Sequence, residues 1–399
     1  MTIANRSTAT PAQAGWRDSK RYLWLLGLLV PTLPFMAWGL VSATGMGIFW
    51  WWGPIFAFIL VPLLDVVVGS DRSNPPEDAV GQLERDRWYR WCTYLYLPLQ
   101  YASLLFACWV WARGELSILD NVGLAVTVGI VAGVAINAAH ELGHKREKTE
   151  RWLSKVALAQ SGYGHFYVEH NRGHHVRVAT PEDPASSRVA EPFWTFWFRT
   201  VAGSARSAWN MESRRFSRRG TTKWTWRNDV LSAWAMTVVL WAALILIFGI
   251  VVLPYLLIQA VVGFSLLEVV NYIEHYGLLR QSRGDRYEKT EARHSWNANN
   301  TASNLLLYHL QRHSDHHANP ARRYQSLRHV DDAPQLPSGY GAMVVVAAVP
   351  PLWYRVMDPR VLAHYSGDMT LANINPRRRA RVLRRFEPVT RTTKATHPQ

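Results

Sequence analysis

Six apolar runs, at residues 22–44, 48–68, 90–111, 116–139, 229–252 and 253–276, dominate what this chain can become. Each is close to the roughly 20 residues with which a helix crosses a hydrocarbon core of about 30 Å. Lipid allows a spanning segment to be only a helix or part of a closed barrel, and the runs show no strand alternation. The expected architecture is an all-α integral membrane protein: six transmembrane helices, with a helical cap from the polar segments at 69–89, 145–228 and 277–399. The runs pair into three hairpins, with short turns near residues 45, 113 and 253, the last around Pro254. Pro31 and Pro34 predict a kink in the first run, tolerated where neighbours satisfy the freed carbonyls. Asn74-Pro-Pro-Glu77 predicts a fixed turn before an amphipathic surface helix at about 79–89. The stretch 153–164 is apolar enough to pack under the bundle.

The polar segments carry nearly all the Lys and Arg of a chain whose formal net charge is +15. Arg17, Lys20 and Arg21 precede the first run, while the turn Gly45-Met46-Gly47 is uncharged, so the positive-inside rule places both termini and the cap in the cytosol. No nucleic-acid recognition module accompanies the basic charge. The first 16 residues lack the apolar core of a signal peptide, and the first run is expected to act as the insertion signal. Residues 1–376 read as one membrane-embedded domain and 377–399 as a basic, partly disordered tail. Cys92 and Cys108 lie in one run, which excludes a disulfide framework and a CxxC metal site.

Nine of the fifteen His fall into four groups on the polar side of the runs. His140-Glu-Leu-Gly-His144 places two imidazoles four residues apart, on one helix face, where both reach one ion. Glu169-His170-Asn-Arg-Gly-His174-His175 and His313-Ser-Asp-His316-His317 each set one His three or four residues before an adjacent pair, so two neighbouring metals can be served. His275 closes the sixth run. One tetrahedral zinc takes about four ligands, so nine imidazoles exceed a single ion, and two metals are the economical fit. Imidazole alone does not choose among Fe, Cu, Ni and Zn. The lone His165, His294, His309, His329, His364 and His397 read as surface or satisfied polar residues.

Glu141, Glu169, Glu274 and Asp315 each adjoin a candidate ligand. A carboxylate accepting the far N–H of an imidazole would fix its tautomer, with direct ligation the competing role. Glu141 and Glu274 are the candidates for a supporting part in catalysis. Glu268 lies seven residues before His275, two turns into the membrane on the same face, and an ionisable group at that depth is a functional candidate. Its alternative is a hydrogen bond between spans.

At these residues the chain resembles the membrane alkane 1-monooxygenase family. The motifs are HELGHK at 140–145, EHNRGHH at 169–175, NYIEHYGL at 271–278 and LQRHSDHHA at 310–318, with SGYGHF at 161–166 and ATPEDPASSR at 179–188 in support. The similarity runs from the first span to about residue 360. Three His motifs alone would admit a membrane fatty-acyl desaturase or hydroxylase, or a xylene-type methyl monooxygenase; NYIEHYGL, with its Glu274, points to alkane hydroxylases. The resemblance implies a non-haem diiron enzyme of the bacterial inner membrane. It would use O2 and two electrons from reduced rubredoxin, itself reduced by an NADH-dependent rubredoxin reductase, to convert medium-chain n-alkanes to 1-alkanols. It carries over His140, His144, His170, His174, His175, His313, His316 and His317 as iron ligands and His275 as the ninth. Some relatives carry a fused rubredoxin and this chain shows none, so the donor is expected in trans.

An alkane offers no charge or dipole, so its recognition must come from apolar burial. At ~0.8 kcal/mol per CH2, eight carbons gain roughly 6 kcal/mol, a dissociation constant of order tens of micromolar. Spans two, four and six supply suitable walls, with Trp52, Phe56 and Leu267 either gating such a channel or facing lipid. Arg214, Arg215, Arg218, Arg219, Arg322, Arg323 and Arg328 offer a basic dock for an acidic donor. A metal transporter would line a path through the bilayer, whereas these His gather at one face. An oxygen sensor would bind without turnover.

Overall fold

The computed structural model describes residues 16–387; the polar lead before them, the end of the tail and His397 lie outside the described residues. Six helices are long and apolar enough to cross a membrane: Leu23–Thr44, Gly47–Val68, Arg87–Ala112, Ile118–Gly143, Asp229–Phe248 and Ile250–His275. The protein is a multi-pass membrane protein of the all-α class. The one ladder among the described residues is a two-stranded turn, Ser282–Arg283 against Arg286–Tyr287.

Local chemistry explains where the helices depart from the sequence expectation. The third hairpin turns at Gly249, not at Pro254, because Gly249 takes the left-handed φ of 83° that ends the fifth span. Pro254 instead sits in the first turn of the helix Leu253–His275, where its missing N–H costs nothing. The first span is wound as a 3-10 helix over Leu23–Thr32 and as an α-helix from Leu33, and the Ser103 hydroxyl donates to the Pro31 carbonyl at that change. In the second span Phe56–Leu60 is a π-helical turn, with the Val61 N–H donating to the Phe56 carbonyl. Pro62 has no N–H for the residues behind it, and the bulge accommodates that gap. The surface helix is Glu77–Arg85, and it packs its buried Leu83 on the cap, with Gln325 Nε2 donating to the Leu83 carbonyl at 3.0 Å.

The fourth span is the axis of the bundle. Of its most apolar stretch 89% is buried inside the protein, against 17–44% for the other five, which leave more surface for lipid. Small residues let the sixth span approach it. A Cβ on Gly129 would lie 2.5 Å from Val262 Cβ, and one on Gly263 would lie 2.9 Å from Ala132 Cβ. The cap closes over one end of this pair with the helices Lys148–Ala159, Phe193–Ser217, His313–Ala318, Tyr340–Ala348 and Pro350–His364. The basic helix Arg379–Phe386 packs on it through the buried Val382, and Arg385 pairs with Asp358 at 3.1 Å. Buried Asp65 of the second span ties the cap down by accepting from the N–H and hydroxyl of Ser303 at 2.9 and 2.6 Å.

Candidate metal centre

The His motifs meet because two helices that pack as one unit end together. The fourth span runs on past residue 139 to Gly143 and delivers His140 and His144, and the sixth delivers His275. The cap lowers the other two motifs onto them. All nine expected side chains come together, in two groups: His140, His144, His170, His175 and His316 in one, and His174, His275, His313 and His317 in the other. Within a group every ligand nitrogen lies within 4.8 Å of the rest.

Each cap motif is divided between the groups. His170–His174 forms a π-helical turn in which the His175 N–H donates to the His170 carbonyl, five residues back. The wider turn brings residue 175 round beside residue 170, and their Nε2 atoms are 3.0 Å apart. His174, which α-helical spacing would pair with His170, turns to the other group. In the α-helix His313–Ala318 the four-residue spacing holds, so His313 and His317 share the second group at 2.9 Å while His316 turns to the first. His140 and His316 approach to 2.9 Å, His316 and His175 to 3.1 Å, and His275 and His313 to 3.2 Å, always through Nε2.

These separations are those of ligands sharing an ion. Nitrogens about 2.1 Å from a metal and 90–110° apart stand about 3 Å from each other. The Nε2 atoms of His144 and His174 are shut away from solvent with no partner among the described residues, a costly state unless something accepts their lone pairs. Burial, then neighbouring imidazoles, holds His144, His170, His313, His316 and His317 well below the ordinary imidazole range. The same causes act on His175. A cluster of neutral imidazoles is the form that binds a metal. The donors fit two ions, one to each group.

The carboxylates beside the ligands do other work than expected. Glu141 pairs with Lys145 at 3.0 Å and accepts from the Tyr324 N–H, and Asp315 pairs with Arg322 at 2.9 Å. Glu169 pairs with Arg177 at 2.6 Å, and burial pushes its carboxyl up to about 7. None of these three accepts from an imidazole: each sits on the outer face of its helix, and basic cap residues claim it. Glu274 points inward, with one oxygen accepting from the Tyr340 hydroxyl at 2.7 Å and the other 3.2 Å from His313 Nε2, the metal-side nitrogen. The carboxylate that holds a ligand by its far nitrogen is Asp183, 2.9 Å from His174 Nδ1. Burial opposes its ionisation, but His174 and the Ser186 hydroxyl outweigh it and hold Asp183 at about 2. Asp183 lies in the ATPEDPASSR stretch, and its only signal in the sequence is an acid in a turn rich in Pro and Ser. His165, His294 and His309 are buried outside the two groups, and His294 bonds Glu288 at 3.1 Å.

An apolar cavity descends from the centre into the bundle. It ends on His140 and His170 of one group and His313 of the other, with Glu274 and Tyr340 beside them. Its walls come from spans one, two, four and six and the helix Tyr340–Ala348, through side chains such as Phe56, Ile130, Val134, Leu267, Val270 and Val344. Phe56 and Leu267 therefore face the cavity, whereas Trp52 is not among its lining residues.

A fatty acid desaturase family model matches residues 121–347. The alkane 1-monooxygenase of Acinetobacter baylyi is 46% identical, over 92% of this chain and 91% of its own length. Alkane 1-monooxygenase 1 of Alcanivorax borkumensis is 47% identical, over 91% and 90%. The hydroxylase component of a Pseudomonas putida xylene/toluene monooxygenase is 25% identical, over 82% and 88%.

Proposed function

The chain belongs to the alkane 1-monooxygenase family, and from that premise we propose that it hydroxylates the terminal methyl of medium-chain n-alkanes at two iron ions held by the nine His. The observation that carries this reading is the apolar cavity that ends on imidazoles of both groups. Zinc has no redox chemistry to activate O2, so a monooxygenase needs a metal such as iron in these sites. When bound and reduced, the iron pair supplies C–H cleavage and oxygen insertion, which no side chain can perform.

The chain's residues supply the rest. His140, His144, His170, His175 and His316 would hold one ion, and His174, His275, His313 and His317 the other, with Asp183 fixing the His174 tautomer so that Nε2 is free to ligate. Glu274, anchored by Tyr340, borders the four-imidazole group and the cavity together, where it can accept a proton or complete the ligand set. The cavity walls exclude water and admit one chain end. Ten residues separate Ile130 from His140, about 15 Å of helix. A zigzag chain with C–C bonds of ~1.5 Å advances about 1.25 Å per carbon, so about twelve carbons fit this depth. Val134 lies six residues from His140, about 9 Å or seven carbons deep. Val134→Phe is expected to lower the longest alkane accepted from about twelve carbons to about seven. Product profiles across n-alkanes of five to sixteen carbons would show it, and an unchanged cutoff would place the substrate elsewhere.

We place the cap in the cytosol of a bacterium, at the inner membrane, because the basic residues gather there. A groove lined by Arg85, Arg90, Lys145, Arg146, Arg322 and Arg323 together with Glu84 and Glu147 adjoins the ends of the first and third His motifs. Arg90 and Arg323 pair with Glu147, and the net positive charge that is left suits an acidic electron donor, which we take to be rubredoxin kept reduced by its NADH-dependent reductase. Of the other basic residues named for this dock, Arg328 pairs with Glu77 and Arg215 with Glu212. Raising ionic strength from 0.01 to 0.15 M shortens the screening length from about 30 to about 8 Å. The KM for rubredoxin should rise severalfold over that range, and by less in Arg146→Glu. Indifference to salt would count against this dock.

The reading is tested by anaerobic iron analysis of the purified protein, followed by turnover with rubredoxin, its reductase, NADH, O2 and the alkane series. About two irons per chain and 1-alkanol are expected. Two irons with oxidation of an acyl lipid and no alkanol would keep the metal centre and overturn the substrate.

A further inference from the structure

The cavity is apolar almost throughout, yet two amides open into it one helical turn below the metal-side residues. Asn137 lies three residues before His140 on the fourth span, and Asn271 three before Glu274 and four before His275 on the sixth. These spacings keep each amide on the face of its ligand. Both are more than nine-tenths buried, at 8% and 6% exposure. One N–H of each amide is committed elsewhere: Asn137 Nδ2 donates to the Leu307 carbonyl at 2.7 Å, and Asn271 Nδ2 to Glu268 Oε2 at 3.1 Å. Glu268 is itself locked, accepting from the Tyr163 hydroxyl at 2.6 Å and the Thr200 hydroxyl at 2.9 Å. Each amide oxygen is left without a hydrogen-bond partner among the described residues.

Amides make little sense for an alkane, which offers neither donor nor acceptor. They suit a ligand whose polar group is an O–H. We propose that the Asn137 and Asn271 oxygens form a hydroxyl subsite, which accepts a hydrogen bond from the primary alcohol as it withdraws from the metal centre. The inference rests on the alkane-hydroxylase reading and extends it from substrate to product. It also accounts for the buried Glu268, whose carboxylate sets which end of the Asn271 amide meets the ligand. Without such acceptors a nascent hydroxyl in an apolar cavity would lose its hydrogen bonds to no compensation, and a buried unpaired hydroxyl is costly.

The test compares two inhibitors of octane turnover with the iron-loaded protein in lipid nanodiscs: 1-octanol, and heptyl methyl ether, which has the same length and an oxygen but no O–H. Concentrations are referred to the lipid phase, and ligand-induced thermal stabilisation of the same sample gives a measure independent of turnover. One hydrogen bond of typical strength corresponds to about tenfold, so 1-octanol should bind about tenfold tighter than the ether. Asn271→Leu and Asn137→Leu should each bring the two ligands closer together. Glu268→Gln can offer an N–H to the Asn271 oxygen and turn the amide, and should narrow the gap as well. Equal binding of alcohol and ether to the wild-type protein would overturn the subsite even if no variant folds. Octane left unoxidised, with the alcohol still preferred, would instead refute the alkane reading and leave the subsite standing.

Discussion

His144→Ala is expected to remove about one of two irons per chain and to lower 1-alkanol formation more than ~100-fold, beyond the range typical for loss of a residue that merely supports a ligand. His144 Nε2 is buried, has no partner among the described residues and lies among the ligand nitrogens of its group, as a metal ligand should. Its imidazole belongs to the five-membered group, and the four remaining nitrogens leave that ion one donor short. His317→Ala should do the same to the four-membered group, where only three imidazoles would remain. Iron per chain, measured anaerobically beside the alkanol yield, distinguishes these losses from unfolding, because a folded variant keeps the ion of the untouched group. His144→Ala protein holding two irons and full activity would remove this residue from the centre.

Asp183→Asn carries the second large effect. Asp183 accepts from His174 Nδ1 at 2.9 Å and is itself fixed by the Ser186 hydroxyl at 2.6 Å and the Ala185 N–H at 3.2 Å. That contact keeps the His174 proton on Nδ1 and leaves Nε2 to ligate. An amide nitrogen facing Nδ1 would drive the proton to Nε2 and silence the ligand. The expected loss is 10–100-fold in metal affinity, confined to the four-imidazole group. Competition with a chelator would read it as a biphasic release, one iron leaving early and the other after it. A single wild-type release curve would show that Asp183 serves only the turn it sits in.

The membrane bundle was legible in the sequence because its signal is length and apolarity, which lipid enforces without help from tertiary contacts. Each of the six spans agrees with its apolar run to within about four residues, the fourth running past its expected end to Gly143. The nine imidazoles were legible for a related reason: four-residue spacing on a helix is a local property. Their division was not. Reading His170 and His174 as one face assumes an α-helix, and the π-turn that pairs His170 with His175 is stabilised only in the packed cap. The carboxylates failed for want of the third dimension, since Glu141, Glu169 and Asp315 adjoin ligands in sequence but point to Lys145, Arg177 and Arg322. Asp183 lies nine residues from His174 and returns to it through a turn in which Ala179 adopts a left-handed φ of 55°. No spacing rule announces such a contact.

The division of each cap motif between the two groups also bears on how the protein matures. One short π-turn carries ligands for both sites, and so does the single helix His313–Ala318. Whatever ion arrives first must therefore fix the very backbone that the second one needs, lowering the ordering entropy left for it. The two sites are then thermodynamically coupled, and the coupling is reciprocal: filling either strengthens the other by the same factor. Loading is then cooperative, and half-filled chains are fewer than two independent sites would give when iron is scarce. A cell short of iron would then hold less of the singly loaded form, which could meet oxygen without the means to use it, than independent sites would leave it.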